Sequence, residues 1–342
     1  MQRQCRGSGP HRSRPSHHVR GAQGSRPRRP PWIGLQPSLA PTKAQPACSA
    51  ASAFTLESQP LAPKTPLRDF VGCSESQRGF FQKKGLDSPR LQIELLLAHV
   101  LQLPRMQLYL QFERVLTEAE LETLRPLVKR RAEREPLQYI VGKTSFMGLE
   151  LLCAPGALIP RPETELFVDM IKKELAPLPP GTLADVGSGT GAIALSLAAA
   201  LPSWTVWGIE PEPDAAALFQ KNHERHPQLT NLQWASGPYL SGTPADLSVV
   251  VANLPYLTSA EMDNLQAELR FEPATALAGG ADGLDLIREL IRQIPATVQR
   301  VYLELGLNQA PEVSALLQSA GFPQVSTQQD LLGRDRFVFA SR

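Results

Sequence analysis

From Thr182 onward the chain alternates short apolar runs with helical stretches, and this alternation limits the fold more than any other feature of the sequence. The runs at 182–186, 204–210, 231–235, 247–252, 300–305, 324–328 and 335–340 read as strands. The stretches at 190–201, 212–226, 260–269, 283–294 and 308–320 read as helices. Strands alternating with crossover helices predict an α/β, Rossmann-like, doubly wound seven-stranded sheet, all parallel, with helices on both faces. In such sheets ligands bind outside the carboxyl ends of the strands. Chemistry is therefore expected in the residues that close each strand.

The first strand closes with Asp185-Val186-Gly187-Ser188-Gly189-Thr190-Gly191. The glycines permit a tight turn and a close approach of ligand to backbone. The spacing is G-x-G-x-G, not the G-x-G-x-x-G of dinucleotide sites, and Asp185 would repel a pyrophosphate. An acid there suits the positive groups of a methionine-derived sulfonium ligand. Glu210 closes the second strand, where a carboxylate accepts ribose hydroxyls. Together these residues predict S-adenosyl-L-methionine as cofactor. At the third strand end, Ser236-Gly237-Pro238-Tyr239 occupies the place of an adenine contact. Pro238 has neither a side-chain acceptor nor an N–H, so backbone groups around Gly237 and Tyr239 are left to make it.

The fourth strand closes with Asn253-Leu254-Pro255-Tyr256. A carboxamide beside a backbone carbonyl can hold a planar NH2 group, and an aromatic ring can stack on it. A methyltransferase acting on an amide or amino nitrogen needs such a notch; taken alone, the tetrapeptide also reads as an ordinary strand-to-loop turn. Further on, Phe271-Glu272-Pro273, Gly279-Gly280 and Asp282-Gly283 read as a surface loop ending in a helix cap.

Upstream, the pattern from Leu67 to Glu135 is helical. Ser88-Pro89 opens a helix whose Leu91, Leu95, Ala98 and Leu101 share a face, widened by Leu96 and Leu97. Pro104 ends it, and Met106, Leu108, Tyr109 and Phe112 mark a short helix. Thr117 with Glu120 forms a capping box for a helix running to Arg134. The basic end of that helix, Lys129, Arg130, Arg131 and Arg134, suits the macrodipole. It reads either as a solvated helix end or as a docking site for an acidic macromolecule. Residues 66–136 are expected to form a small helical bundle for substrate recognition. Residues 137–160, with apolar Tyr139-Ile140-Val141 and punctuating Gly142 and Gly148, are expected to be a β-hairpin connector. The third part, 161–342, opens with Arg161-Pro162-Glu163-Thr164-Glu165. A proline in a first helical turn with acids behind it starts a helix well, but that chemistry leaves Arg161 unexplained.

The net charge of +2 hides an uneven distribution. Residues 1–56 hold eight arginines, one lysine and no acid, which leaves 26 basic against 33 acidic residues in the rest. An acidic body argues against a broad nucleic-acid-binding face. Cys5, Cys48, Cys73 and Cys153 are scattered, without a CxxC pair or metal spacing, which fits a reducing compartment. No apolar run reaches the roughly 18 residues of a membrane span. Residues 1–65, rich in Arg, Ser, Pro and Gly without periodicity, are expected to be a disordered extension. Two readings of that extension stand: an organelle transit peptide, giving a mitochondrial or plastid enzyme, or a start assigned too far upstream, giving a cytoplasmic one.

The chain is similar to the HemK/PrmC family, the peptide-chain release factor glutamine methyltransferases, from about Leu67 to Arg342. The marks are the Ile159-to-Glu165 block, the Asp185-to-Gly191 loop, Asn253-Leu254-Pro255-Tyr256, and Glu272-Pro273 with Gly279-Gly280 and Asp282-Gly283. The Pro-Arg-Pro-Glu-Thr-Glu block is the most particular of these. The resemblance implies methyl transfer from S-adenosylmethionine to the side-chain amide nitrogen of the Gln in a release factor's Gly-Gly-Gln loop. It implies that the Asn253 side chain and the Leu254 carbonyl hold the two amide hydrogens while Tyr256 packs on the amide plane. Arg161 and Glu163, with Pro255, would wall the substrate; no general base and no metal are implied. The partner would be the release factor, with nucleic acid met only through the ribosome, and the enzyme a monomer without membrane attachment. Two departures stand out: Leu254 where the family usually has Pro, and Pro238 where many members carry Asp or another polar residue. A rival reading, an adenine-N6 methyltransferase acting on RNA or DNA, draws on the same notch, which can grip a flipped base. The acidic body and the Arg161 block oppose it.

Overall fold

The computed structural model describes residues 70–342 apart from Phe112, so the extension expected over 1–65 lies outside the described residues. Helices α1 (Phe70–Lys83), α2 (Pro89–Leu101), α3 (Arg105–Leu108) and α4 (Glu118–Ala132) come first. They share a core of Phe81, Ile93, Leu96, Leu97, Leu108, Leu121, Leu124 and Val128. The α4 start is built as expected: Thr117 accepts the Glu120 N–H and the Glu120 side chain accepts the Thr117 N–H. A cap of this kind contributes about 1 kcal/mol.

The buried face of α2 holds the expected Leu96, Leu97 and Ala98 but is shifted toward Ile93 and away from Leu91. Ile93, Leu96 and Leu97 are fully buried, whereas Leu91 is 41% exposed. With leucines nearly all round the helix, periodicity did not discriminate. What orients it is Glu94, buried among Arg90 at 2.8 Å, Arg105 at 3.0 Å and the Tyr109 hydroxyl at 2.7 Å. The basic end of α4 is divided: Lys129 is exposed and Arg130 half-exposed, whereas Arg131 and Arg134 are engaged within the protein. Arg131 is buried and bonds Gln92 and Glu268, and Arg134 reaches the same Glu268 carboxylate at 3.1 Å. Two of its four cations thus tie the helical segment to a loop far along the chain.

Residues Leu137–Val141 form a helix, α5, not the first arm of a hairpin. Pro136 precedes its first turn and Gly142, at φ +80°, closes it in the left-handed region. The hairpin is shorter: β1 (Lys143–Phe146) and β2 (Leu149–Leu152), turned by Met147 and Gly148, both at positive φ. Helix α6 (Pro162–Leu175) then buries Phe167, Val168, Ile171 and Leu175.

The main sheet contains β3 (Thr182–Val186), β4 (Thr205–Glu210), β5 (Leu232–Ser236), β6 (Leu247–Ala252), β7 (Arg300–Glu304), β8 (Gln324–Gln329) and β9 (Asp335–Ser341). Its order is β5-β4-β3-β6-β7-β9-β8. Each expected strand lies within about a residue of its observed span, but the sheet is mixed, not parallel. Strand β9 runs antiparallel to both β7 and β8. The connection from β8 to β9 is a short turn around Gly333, and only a crossover of a dozen residues or more could return the chain in parallel. Helix α6, α7 (Ala192–Ala200) and α8 (Pro213–Glu224) cover one face. Helices α10 (Asp285–Gln293) and α11 (Ala310–Ser319) cover the other. Between β6 and α10 the helix expected at 260–269 stops early, as α9 (Ser259–Asp263). None of its residues is buried, so little beyond its Thr258–Glu261 capping box sustains it. The strand order departs in opposite directions on either side of β3, which opens a crevice at the carboxyl ends of β3, β4 and β6.

Candidate functional site

A cavity of about 560 Å³ occupies that crevice, within the range of small-molecule sites. Its floor is the glycine loop. Gly187, Gly189 and Gly191 all lie in the left-handed region, at φ +72°, +57° and +83°. A Cβ on Gly191 would lie 2.2 Å from the Phe219 ring, whereas a Cβ on Gly189 would meet only open space. The loop is thus jammed against α8 at one end and bare toward the cavity in its middle. Ser188 and Thr190 complete the floor.

Glu210 lines the cavity at the end of β4. One carboxylate oxygen accepts the Gly189 N–H at 2.7 Å and the other the Glu212 N–H at 2.9 Å. Each oxygen keeps a lone pair for a ligand hydroxyl. Burial pushes the carboxyl above its ordinary range, and the two N–H groups counter that. Asp185 sits elsewhere: it is fully buried beneath the loop and absent from the wall. Its Oδ2 accepts the Ala194 N–H at 3.1 Å, stitching β3 to α7, and its Oδ1 has no partner. Burial raises this carboxyl to about 7. Pro238 and Tyr239 face the cavity, but Gly237 does not. The Gly237 N–H is already taken by the Glu210 carbonyl at 3.3 Å, so it is not the substitute adenine contact.

Asn253, Leu254 and Pro255 line the cavity from the end of β6. Leu254 is buried, and its side chain lies 3.0 Å from where a Cβ on Gly187 would be, so the notch and the glycine loop touch. Tyr256 turns away. Its ring lies 5.1 Å from the Arg336 guanidinium, which donates to its hydroxyl at 3.0 Å. It borders a second, smaller cavity instead. The back of the tetrapeptide meets main chain: a Cβ on Gly279 would lie 2.6 Å from the Pro255 carbonyl, and one on Gly283 would lie 2.1 Å from that of Tyr256. This contact explains the late glycines.

Arg161 lines the cavity and pairs with Glu272, whose other oxygen accepts the Ile159 N–H at 3.0 Å. Glu272 is buried, so the surface loop expected at Phe271-Glu272-Pro273 turns that one residue inward while Phe271 stays exposed. The pair fixes the entry to α6 against the loop that also holds Glu268. Glu163 points elsewhere, 3.7 Å from Arg334 and off the cavity wall.

Three polar residues behind the notch have no role assigned by the sequence. Thr164 Oγ1 accepts a hydrogen bond from Asn253 Nδ2 at 3.3 Å. Glu304, 1% exposed at the end of β7, lies with its carboxylate among Thr164, Asn253 and Arg336, the last at 3.7 Å. Burial pushes its carboxyl to about 7, offset by Thr164 and Arg336. The available signal was the one that identified Glu210: an acid closing an apolar strand.

Residues 76–142 match the family model described as the PrmC N-terminal domain, and residues 162–280 match the methyltransferase small domain. Similar curated proteins include the release factor glutamine methyltransferase of Geobacter sulfurreducens, 41% identical over 76% of this chain and 92% of that protein. The proteins of the same name from Coxiella burnetii and Vibrio cholerae are 35% and 37% identical, over 75% of this chain and at least 90% of theirs. Among solved structures, the hMettl16 catalytic domain in complex with an RNA hairpin of MAT2A covers 67% of this chain and 84% of that one, with a TM-score of 0.48 and 15% identity. A likeness of that degree adds nothing to the assignment.

Proposed function

The chain belongs to the release factor glutamine methyltransferase family, and from that premise we propose that it methylates the side-chain amide nitrogen of the Gln in a release factor's Gly-Gly-Gln loop, using S-adenosyl-L-methionine. The observation that carries the reading is the placing of Asn253 and Leu254 on the same cavity as the glycine loop and Glu210. S-adenosylmethionine, when bound, supplies an electrophilic methyl group on a sulfonium.

The residues present fit that cofactor. Gly189 leaves open space above the loop, and Glu210 offers acceptors for ribose hydroxyls. Pro238 and Tyr239 provide an apolar wall for the adenine. Asp185 acts from below, holding the loop's strand to its helix.

An amide nitrogen is a weak nucleophile because its lone pair is delocalised into the carbonyl. The Asn253 carboxamide oxygen and the Leu254 carbonyl accept the two amide hydrogens, which orients the nitrogen and draws density onto it. Holding the reacting atoms in line, with acceptors aimed where positive charge develops, supplies most of the rate enhancement. Pro255 stiffens the notch, and Arg161, pinned by Glu272, closes its rim. Tyr256 braces the turn through Arg336 rather than lying in the cavity wall. The product leaves as an N-methyl amide, and the displaced amide proton passes to solvent. The electron pair of the broken S–CH3 bond stays on sulfur in the thioether that departs.

The partner is a release factor, acting with a monomeric enzyme and meeting nucleic acid only through the ribosome. Among the described residues no helix is long and apolar enough to cross a membrane. The enzyme works in the compartment of its release factor: the cytoplasm, or an organelle where residues 1–65 serve as an address. Incubation with radiolabelled methyl donor, a release factor and, separately, ribosomal RNA tests the reading. Label should enter the factor; label in RNA alone would sink it. A chain lacking residues 1–65 should transfer methyl as fast as the full chain.

A further inference from the structure

An Asn carboxamide has two nearly isosteric orientations. One presents its oxygen to the cavity and the other its NH2 group. Only the first accepts hydrogens from a substrate amide; the second sets donor against donor. Something in the protein has to choose between them.

The choice is made behind the notch. Asn253 Nδ2 donates inward to Thr164 Oγ1 at 3.3 Å, which leaves Oδ1 for the cavity. Thr164 borders the cavity but is only 4% exposed, which limits competition from water for its hydroxyl. A hydroxyl has one hydrogen and two lone pairs, and which of these it offers Asn253 depends on its other neighbour. That neighbour is Glu304, whose carboxylate lies beside both the Thr164 hydroxyl and the Asn253 carboxamide. An ionised carboxylate only accepts. Above about pH 7, where Glu304 is ionised, the Thr164 hydrogen faces Glu304 and the Thr164 oxygen accepts from Asn253. Arg336, on β9, lies 3.7 Å from the carboxylate and favours its ionised form, whereas Glu163, near the start of α6, opposes it.

Resting on the methyl-transfer reading above, we propose that Thr164 is a positioning residue which, backed by Glu304, fixes the Asn253 carboxamide with its oxygen toward the substrate amide. With Glu304 ionised, the polarity runs in one direction, from carboxylate through hydroxyl to carboxamide. A residue that merely filled space at position 164 would have no such direction.

Two near-isosteric variants separate the roles. Thr164→Val keeps the shape and removes the hydroxyl; Thr164→Ser keeps the hydroxyl and removes a methyl. With a release factor as substrate, Thr164→Val should lower kcat about 100-fold, leaving the affinity for S-adenosylmethionine and the KM for the factor within about threefold of wild type. Thr164→Ser should recover most of the lost kcat. The opposite ranking, or two variants alike, would overturn the proposal and make Thr164 a packing residue. A second readout needs no methyl transfer. In 15N-labelled protein, the Asn253 side-chain NH2 pair, assigned by its disappearance in Asn253→Ala, should be protected from exchange in wild type and Thr164→Ser. It should lose protection in Thr164→Val, and equal protection in all three would overturn the proposal. Failure of the wild-type protein to methylate any release factor would instead strike the functional reading, while the exchange measurement still decides the role of Thr164.

Discussion

The two ends of the cavity are built on opposite principles. The glycine-loop end works through what is missing: three left-handed glycines, one jammed on Phe219 and one open to the ligand. The notch end works through what is bonded: Asn253 on Thr164, Thr164 beside Glu304, Glu304 beside Arg336. One end recognises by shape and main chain, the other by the direction of hydrogen bonds. The loop should therefore fail when an atom is added, and the notch when a polar atom is removed.

The largest effect expected from this contrast is at the notch. Asn253→Ala should lower turnover about 1000-fold, the scale of losing an oriented polar group at a reacting centre. Cofactor affinity, measured by titration calorimetry, should change by less than about threefold, and a parallel loss would merge the two ends into one. Next comes the loop: Gly191→Ala should destabilise the protein by about 3 kcal/mol, combining left-handed strain with overpacking on Phe219. Denaturant melts measure that, and an unaffected midpoint would mean that Phe219 moves aside freely.

A smaller effect follows from the buried acids. Burial raises both Asp185 and Glu304 to about 7, so each binds its proton more tightly folded than unfolded. The stability they contribute is complete below the ordinary carboxylate range and is lost as pH rises through about 7. Asp185→Asn should therefore flatten the fall in Tm of the ligand-free protein between pH 5 and pH 8. An unchanged slope would remove Asp185 as its source. The smallest effect should come from Leu254→Pro. It keeps the carbonyl and should alter turnover less than about threefold, while the lost side-chain contact over Gly187 costs about 1–2 kcal/mol of stability.

Legibility in the sequence followed the same division. The strands, the glycine loop, Glu210 and the Asn253 tetrapeptide were visible because each is written in consecutive residues. What failed depended on distant partners. Glu272 looked like a loop residue because Ile159 and Arg161, which bury it, are more than 100 positions away. Glu304 was passed over because its neighbours come from α6, β6 and β9, and the antiparallel return of β9 that delivers Arg336 was not expected. Tyr139 to Val141 read as strand because three apolar residues carry no period, while the flanking Pro136 and Gly142 decided for helix. The α2 face was legible only in part, at Leu96, Leu97 and Ala98, for a related reason: its leucines pointed everywhere, and a buried glutamate oriented it.

The glycines behind the tetrapeptide set a limit on how this enzyme can change. Main chain presses on main chain there, Gly279 and Gly283 against the carbonyls of Pro255 and Tyr256, with the Gln309 side chain closing in at Gly283. The depth of the notch is therefore beyond the reach of single substitutions, since any added carbon collides. Divergence toward another amide-bearing protein must run through the rim, at Arg161 and the Ala274-to-Ala276 turn, where side chains can still be exchanged. The grip is fixed by main chain; the mouth is fixed by side chains.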